Sequence, residues 1–168
     1  LAEVNASGGF SAAESYAWHR SLLARHREQY DPRVRARIER GAQMTAADYI
    51  DLLHARQAWI ARMEVEMRGF DAFLSPTVPL TAPPLESVAP ANGADPAADA
   101  RRDAEFVRVN GLLLRNTSVV NVLDGCALSL PCHVPGELPV GLMVWQGAMR
   151  DDAVLAVGLL IEKALQKQ

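Results

Sequence analysis

The sequence contains little cysteine and no long apolar run, and each shortage excludes a class of protein. Only two of the 168 residues are cysteines, Cys126 and Cys132. They are too few for a disulfide framework and predict a reduced, cytoplasmic protein. No apolar run approaches the roughly 18 residues that a membrane helix needs, and no signal peptide is visible. The first residue is Leu1 rather than Met, which predicts a processed or truncated chain.

Lysine is equally scarce, since Lys163 and Lys167 are the only two and both lie in the last six residues. Arginine supplies the other basic side chains, seven of them between residues 20 and 40. Acidic residues are interleaved with these arginines, which indicates a solvated helix face rather than a nucleic-acid surface. The formal net charge of −3 gives no reason to expect a polyanionic partner.

The composition predicts a folded globular chain, because 49% of the residues are hydrophobic, and the order of the predicted elements indicates the α/β class. Two short apolar runs, Cys126–Leu130 and Val140–Trp145, have the length of buried strands and flank a proline-rich turn region. Helix starts are predicted by capping patterns at Ser11, Asp31 and Thr45. The predicted order is a helical region (10–69), a strand (70–75), a proline-rich crossing (76–98), then a helix, two strands and a C-terminal helix (99–168).

A motif within this region resembles a known family. It begins at Asn121 with Asp124-Gly125-Cys126-Ala127 and continues through Pro131 to Leu138-Pro139-Val140-Gly141-Leu142. The ordered pattern resembles the C-terminal part of the amidase signature family of serine amidohydrolases, and Ser75-Pro76-Thr77 agrees with it. The resemblance implies the C-terminal portion of the amidase-signature fold, with helices packed on a small part of a mixed β-sheet. It also implies hydrolysis of a carboxamide to carboxylate and ammonia or amine.

The family uses a Ser–cis-Ser–Lys triad that lies in its N-terminal half, within a Gly- and Ser-rich segment. This sequence has no such segment, and its lysines lie at a solvated helix end. We therefore assign no catalytic residue and expect the chain to be inactive alone. The resemblance implies the N-terminal catalytic half and a small amide substrate as partners. We also expect a possible homo-oligomer and no cofactor or metal, and the charge and hydropathy give no reason to expect nucleic acid or a membrane.

The segment before the motif approaches the substrate in the family, so the resemblance makes Asn110, Asn116 and Thr117 the candidate substrate-binding residues. The alternative is structural: Asn116 and Thr117 cap the turn that follows, and Asn121 bonds to backbone in a bend before the strand.

Three further hypotheses compete with the amidase interpretation: a Cys–His catalytic pair, a metal site and a stand-alone module. Cys132 and His133 suggest a nucleophile and base, but neighbouring residues on a strand point to opposite faces and cannot easily share a proton. With Cys126 they also lack the paired spacing of a metal site. The remaining alternative is a stand-alone α/β module for binding or oligomerisation. A fragment predicts exposed apolar surface or self-association, whereas a module predicts a closed, monodisperse fold.

Overall fold

The computed structural model describes residues 9–166, and these form two compact units, one up to Arg62 and one from Met63 onward. The helices are α1 (Gly9–His26), α2 (Pro32–Glu39), α3 (Ala46–Glu66), α4 (Pro96–Arg115), α5 (Thr117–Leu123) and α6 (Asp151–Leu165). The strands are β1 (Phe73–Pro76), β2 (Cys126–Pro131) and β3 (Gly141–Gln146), and short 3₁₀ helices cover Arg27–Gln29, Arg40–Gln43 and Leu85–Ser87. The α/β class expected from the sequence is confirmed.

The first unit is helical and is closed by a close approach of α1 to the turn after α2. Gly41 in that turn is buried, and a Cβ there would collide with the carbonyl oxygen of Ala12. The apolar side chains of Leu23 from α1 and Ile38 from α2 are buried in the same unit. The physical role of Gly41 is thus to leave room for the backbone of α1.

Two of the predicted helix starts in this unit are confirmed. Asp31 accepts hydrogen bonds from two backbone amides of α2, with Pro32 in the first turn. Thr45 and Asp48 form a reciprocal capping box, in which the Asp48 carboxylate accepts from the Thr45 amide at 2.9 Å and the Thr45 hydroxyl accepts from the Asp48 amide at 3.1 Å.

The capping box predicted at Ser11 and Glu14 is wrong, because α1 begins at Gly9 and Ser11 lies inside the helix. Glu14 instead accepts a hydrogen bond from the Tyr49 hydroxyl at 3.0 Å, which raises the pKa of Tyr49. The ring of Phe10 meets Tyr49 edge to face. Long-range packing has therefore replaced the local contact that the sequence suggested.

The second unit is built on a three-stranded sheet of order β1–β3–β2, in which both pairings are antiparallel. Parallel pairing, expected for a mixed sheet, is not seen among the strands that residues 9–166 form. The predicted strands at 126–130 and 140–145 are confirmed to within one residue, whereas the strand predicted from residue 70 begins only at Phe73. The side chain of Gln146 is buried, and its amide donates to the carbonyls of Phe70 and Asp71 at 2.9 and 3.3 Å. Because a side chain already occupies these two carbonyls, the strand begins after them.

Helix α6 covers one face of the sheet. Val154 of the helix packs in a buried cluster with Leu130 and Val144, with further apolar side chains of α6 around them. Gly158 lies so close to Leu128 that a side chain there would collide with it. Asp151 and Asp152 occupy the first turn of α6, where the helix dipole favours negative charge.

Helix α5 is absent from the sequence prediction, which placed a bend there. Its seven residues include three valines, and β-branched residues favour strands. The helix is stabilised by burial of Val120, Val122 and Leu123. It ends at Asp124, which adopts a left-handed conformation with φ of 60° and donates its amide back to the helix. The predicted bend at Asn121 is therefore wrong, since that residue lies within α5.

Candidate functional site

The Pro76–Thr77 peptide unit is the point at which the sequence-distant parts of the second unit meet. Its carbonyl oxygen accepts a hydrogen bond from Nδ2 of Asn116 at 2.7 Å. Its N–H donates to the carbonyl oxygen of Gly141 at 2.8 Å. Both polar ends of one planar peptide are thus fixed, one by the junction of α4 and α5 and the other by the start of β3.

The side chain of Thr77 makes a third contact, a hydroxyl–hydroxyl bond of 2.6 Å to Ser129. Thr77 follows β1 and Ser129 lies on β2, and β3 runs between these strands. The bond therefore passes over β3, at the position of Gly141. A Cβ on Gly141 would stand 2.6 Å from the Ser129 oxygen and 2.7 Å from the Thr77 oxygen, so only glycine permits the bond.

The residues predicted to bind substrate are not gathered at one point. Asn116 lies at the junction of α4 and α5 and reaches the strand end, as described above. Thr117 is the first residue of α5, and its hydroxyl donates to the carbonyl of Leu114 at 3.4 Å, a local contact. Asn110 is half-buried in α4, six residues before Asn116. The capping role named in the structural alternative is wrong for Asn116, whose side chain makes no capping hydrogen bond to α5, although its bond to Pro76 is itself a structural contact.

Sequence reasoning did not select Thr77 and Ser129, although both lie in the stretches that resemble the family. A usable signal was Gly141 at the start of a predicted strand, because glycine in a strand often marks a close approach. The identity of the approaching groups depends on pairing across 52 and 40 residues, which no local pattern reports.

The face that carries this bond also holds two buried polar atoms that no described residue bonds. They are Oγ of Ser75 and Nε1 of Trp145. Ser75 and Ser129 flank Met143 in register, and Trp145 lies two residues further along β3, so all four share one face. The face opposite α6 therefore carries the hydroxyls of Ser75 and Ser129 and the indole N–H of Trp145 beside the buried side chain of Met143.

Cys132 and His133 contact the same backbone and do not form a catalytic pair. The Cys132 thiol donates to the Val140 carbonyl at 3.5 Å, and Nδ1 of His133 accepts from the Val140 amide at 3.4 Å. Within residues 9–166, no three His, Cys, Asp or Glu side chains are grouped in a way that could hold a metal ion. Across the same residues, every helix is too short or too polar to cross a membrane.

A family model described as Amidase matches residues 4–155. The chain belongs to the amidase family. A 2-amino-5-chloromuconic acid deaminase of Comamonas testosteroni is 27% identical over 92% of this chain, but the match covers 31% of that protein. A glutamyl-tRNA(Gln) amidotransferase subunit of Streptomyces coelicolor is 31% identical over 80% of the chain and 26% of its own length. The chain thus spans about a third of the length of these curated relatives.

Solved structures agree with the family assignment. A crystal structure of an amidase superposes with a TM-score of 0.68 at 28% identity, over 91% of this chain and 33% of that one. The urea amidolyase of K. lactis superposes with a TM-score of 0.72 at 27% identity, over 90% of this chain and 8% of that one. The expected amidase-signature fold, as a C-terminal part, is confirmed.

Proposed function

We propose that this chain is the C-terminal segment of an amidase that hydrolyses a carboxamide to carboxylate and ammonia or amine. The observation that supports the proposal is the match of residues 4–155 to the amidase family, over about a third of the length of the curated relatives. The relatives include one named as a deaminase and one named as part of an amidotransferase, which fits chemistry at a C–N bond.

In this proposal, the Ser–cis-Ser–Lys triad lies in a part of the enzyme outside this sequence. A serine attacks the amide carbon, the C–N bond breaks as the nitrogen is protonated, and water then releases the carboxylate. An activated serine needs a base within hydrogen-bond reach. Among the hydrogen bonds of residues 9–166, no serine hydroxyl meets a lysine or histidine, and the Ser129 hydroxyl bonds to Thr77. The chain alone is therefore proposed to be inactive.

We assign Asn110, Asn116 and Thr117 to one wall of the site that receives the acyl part of a small amide. Support comes from Asn116, whose side-chain amide is held at the strand end by Pro76, so its second N–H is available to a ligand with a fixed direction. The N-terminal catalytic half is the proposed partner, and the cytoplasm is the proposed compartment. No cofactor is required for this reaction class.

The exposed side of α6 favours a segment over a stand-alone module. Leu155, Leu159 and Leu160 are each more than half exposed, at 53, 57 and 67%. Exposed leucines grouped on one helix are typical of a surface that another part of a protein covers. Light scattering on the purified chain checks this proposal: self-association supports the segment, and a monodisperse monomer supports the module. A homo-oligomer of the complete enzyme remains a prediction.

Fluorophosphonate labelling tests the assignment of catalysis. We expect the purified 168-residue chain to hydrolyse neither propionamide nor benzamide and to take up no label. The complete enzyme should hydrolyse the amides and be labelled. Labelling of a serine in this chain, abolished by its Ser→Ala change, would place the nucleophile here and overturn the proposal.

A further inference from the structure

Two bonds fix the Pro76–Thr77 peptide unit and a third holds the Thr77 side chain, and each partner comes from a different part of the chain. Asn116 lies 40 residues after Pro76, and Ser129 lies 52 residues after Thr77. Gly141 lies on a third element, β3. Since ordering a residue costs about 1–2 kcal/mol of conformational entropy, three bonds on two adjacent residues mark a point that is held more firmly than an ordinary loop.

The sheet itself does not require the side-chain bond of Thr77. The register of β1 and β3 ends at Pro76 opposite Leu142, so Thr77 lies beyond the last paired residue. The pairing of β2 with β3 covers six residues without any contribution from Thr77. The bond to Ser129 therefore acts at the exit from β1, where the proline-rich crossing begins, rather than in the sheet.

The peptide unit transmits this restraint to Asn116. Because a peptide bond is planar, a rotation that moves the N–H of Thr77 also moves the carbonyl of Pro76. That carbonyl holds the Nδ2 group of Asn116 at 2.7 Å. The other end of the Asn116 amide accepts from the Arg115 guanidinium at 3.3 Å, a neighbour in sequence that is exposed to solvent. The orientation of the Asn116 amide is thus set from the side of Pro76.

We propose that Thr77 is a positioning residue of the amide-binding site: its bond to Ser129, made across Gly141, orients the Pro76–Thr77 peptide and, through it, the Asn116 amide that meets the substrate. This inference rests on the proposed function and deepens it. Thr77 touches no reacting group, so its loss changes how well the substrate is held and leaves the chemical step unaltered.

The test uses the complete amidase that contains this chain, assayed with propionamide and benzamide. We expect Thr77→Val, which has the same shape without the hydroxyl, to raise KM about fivefold with kcat within about twofold, the size of one neutral hydrogen bond. Ser129→Ala should match it. The double variant should be no worse than either single one, because both remove the same bond. Thr77→Ser keeps the hydroxyl and should restore KM.

Hydrogen exchange on the 168-residue chain provides a readout that is independent of activity. The Thr77 amide should be protected in the wild type although it lies beyond the strand register, and it should exchange faster in Thr77→Val. If the wild type is active and Thr77→Val leaves KM unchanged or lowers only kcat, this inference is overturned and the proposed function stays intact. If the complete enzyme hydrolyses no amide substrate, the proposed function and this inference are both overturned. Protection of the Thr77 backbone N–H would then show only that the Pro76–Thr77 peptide is held in place.

Discussion

The helix caps of the first unit and the hydrogen bonds that fix β1 in the second unit differ in range along the sequence. In the first unit, the caps of α2 and α3 join residues two or three positions apart. In the second unit, the bonds that fix β1 join residues 40, 52 and 76 positions apart. Contacts between near neighbours in sequence can form without the rest of the fold, whereas contacts between distant residues form only once the sheet has assembled. The helix caps of the first unit should thus tolerate perturbation of distant residues, and the end of β1 should not.

The largest expected effect comes from opening a cavity in the core of the second unit. Leu130 is buried with Val144 and Val154, so Leu130→Ala should lower the free energy of unfolding by about 3 kcal/mol. Hydrogen exchange measured by mass spectrometry should show faster exchange across residues 63–166 and little change across 9–62.

A matched control is Leu160→Ala, the same chemical change on the exposed side of α6, where the side chain is 67% exposed. Leu160→Ala should change the free energy of unfolding by no more than about 0.5 kcal/mol. Equal acceleration of exchange in both units by Leu130→Ala would contradict the comparison, because it would mean that the two units unfold as one.

The next largest effect concerns the first unit. In Gly41→Ala, the new methyl group would meet the backbone carbonyl of Ala12, which cannot move as a side chain could. We therefore expect the free energy of unfolding to fall by about 2 kcal/mol. Gly111→Ala is the control, because Gly111 lies in α4 with open space around its Cα. That change should stabilise the chain by up to about 1 kcal/mol. Thermal melts check both, and a stable Gly41→Ala variant would show that α1 does not pack as described.

The same contrast in range explains how much of the fold could be predicted from the sequence. Caps at Asp31 and Thr45 were predicted because the cap and its target are neighbours. The two apolar strands were predicted because their length and flanking prolines are local signals. Helix α5 was missed because its valines favour a strand, and only burial in the assembled unit makes it helical. The prediction of a capping box at Ser11 was wrong because Glu14 accepts a hydrogen bond from the Tyr49 hydroxyl, which is distant in sequence.

The candidate site could be predicted less well than the fold, for the same reason. Asn116 was predicted through the family resemblance, yet its bond to Pro76 depends on where β1 ends. Thr77 and Ser129 have no sequence feature that links them, and they meet only because β3 offers a glycine between them. A site formed by the ends of several strands is known only when the strand order is known.

The smallest effect tests whether range along the sequence, rather than the unit, decides the behaviour, since the second unit also contains local contacts. Asp99 in the first turn of α4 is buried and accepts from the backbone amides of Asn92 and Gly93 at 3.1 and 2.9 Å. It also pairs with Arg102. The bond from the Asn92 amide is the main cause that lowers the pKa of Asp99, with help from the Gly93 amide and the Arg102 charge.

Because the pKa of Asp99 is lower in the folded chain than in the unfolded chain, its contribution to stability is present above the ordinary aspartate pKa of about 4 and is lost as pH falls through the folded value. Exchange of the segment 85–95, corrected for the intrinsic rate, should therefore accelerate below about pH 4. Asp99→Asn should abolish that pH dependence, whereas Asp151→Asn at the exposed start of α6 should preserve it. Since the contact is local, residues 126–146 should keep their protection in Asp99→Asn, and loss of protection there would show that even a local contact of this unit supports the whole sheet.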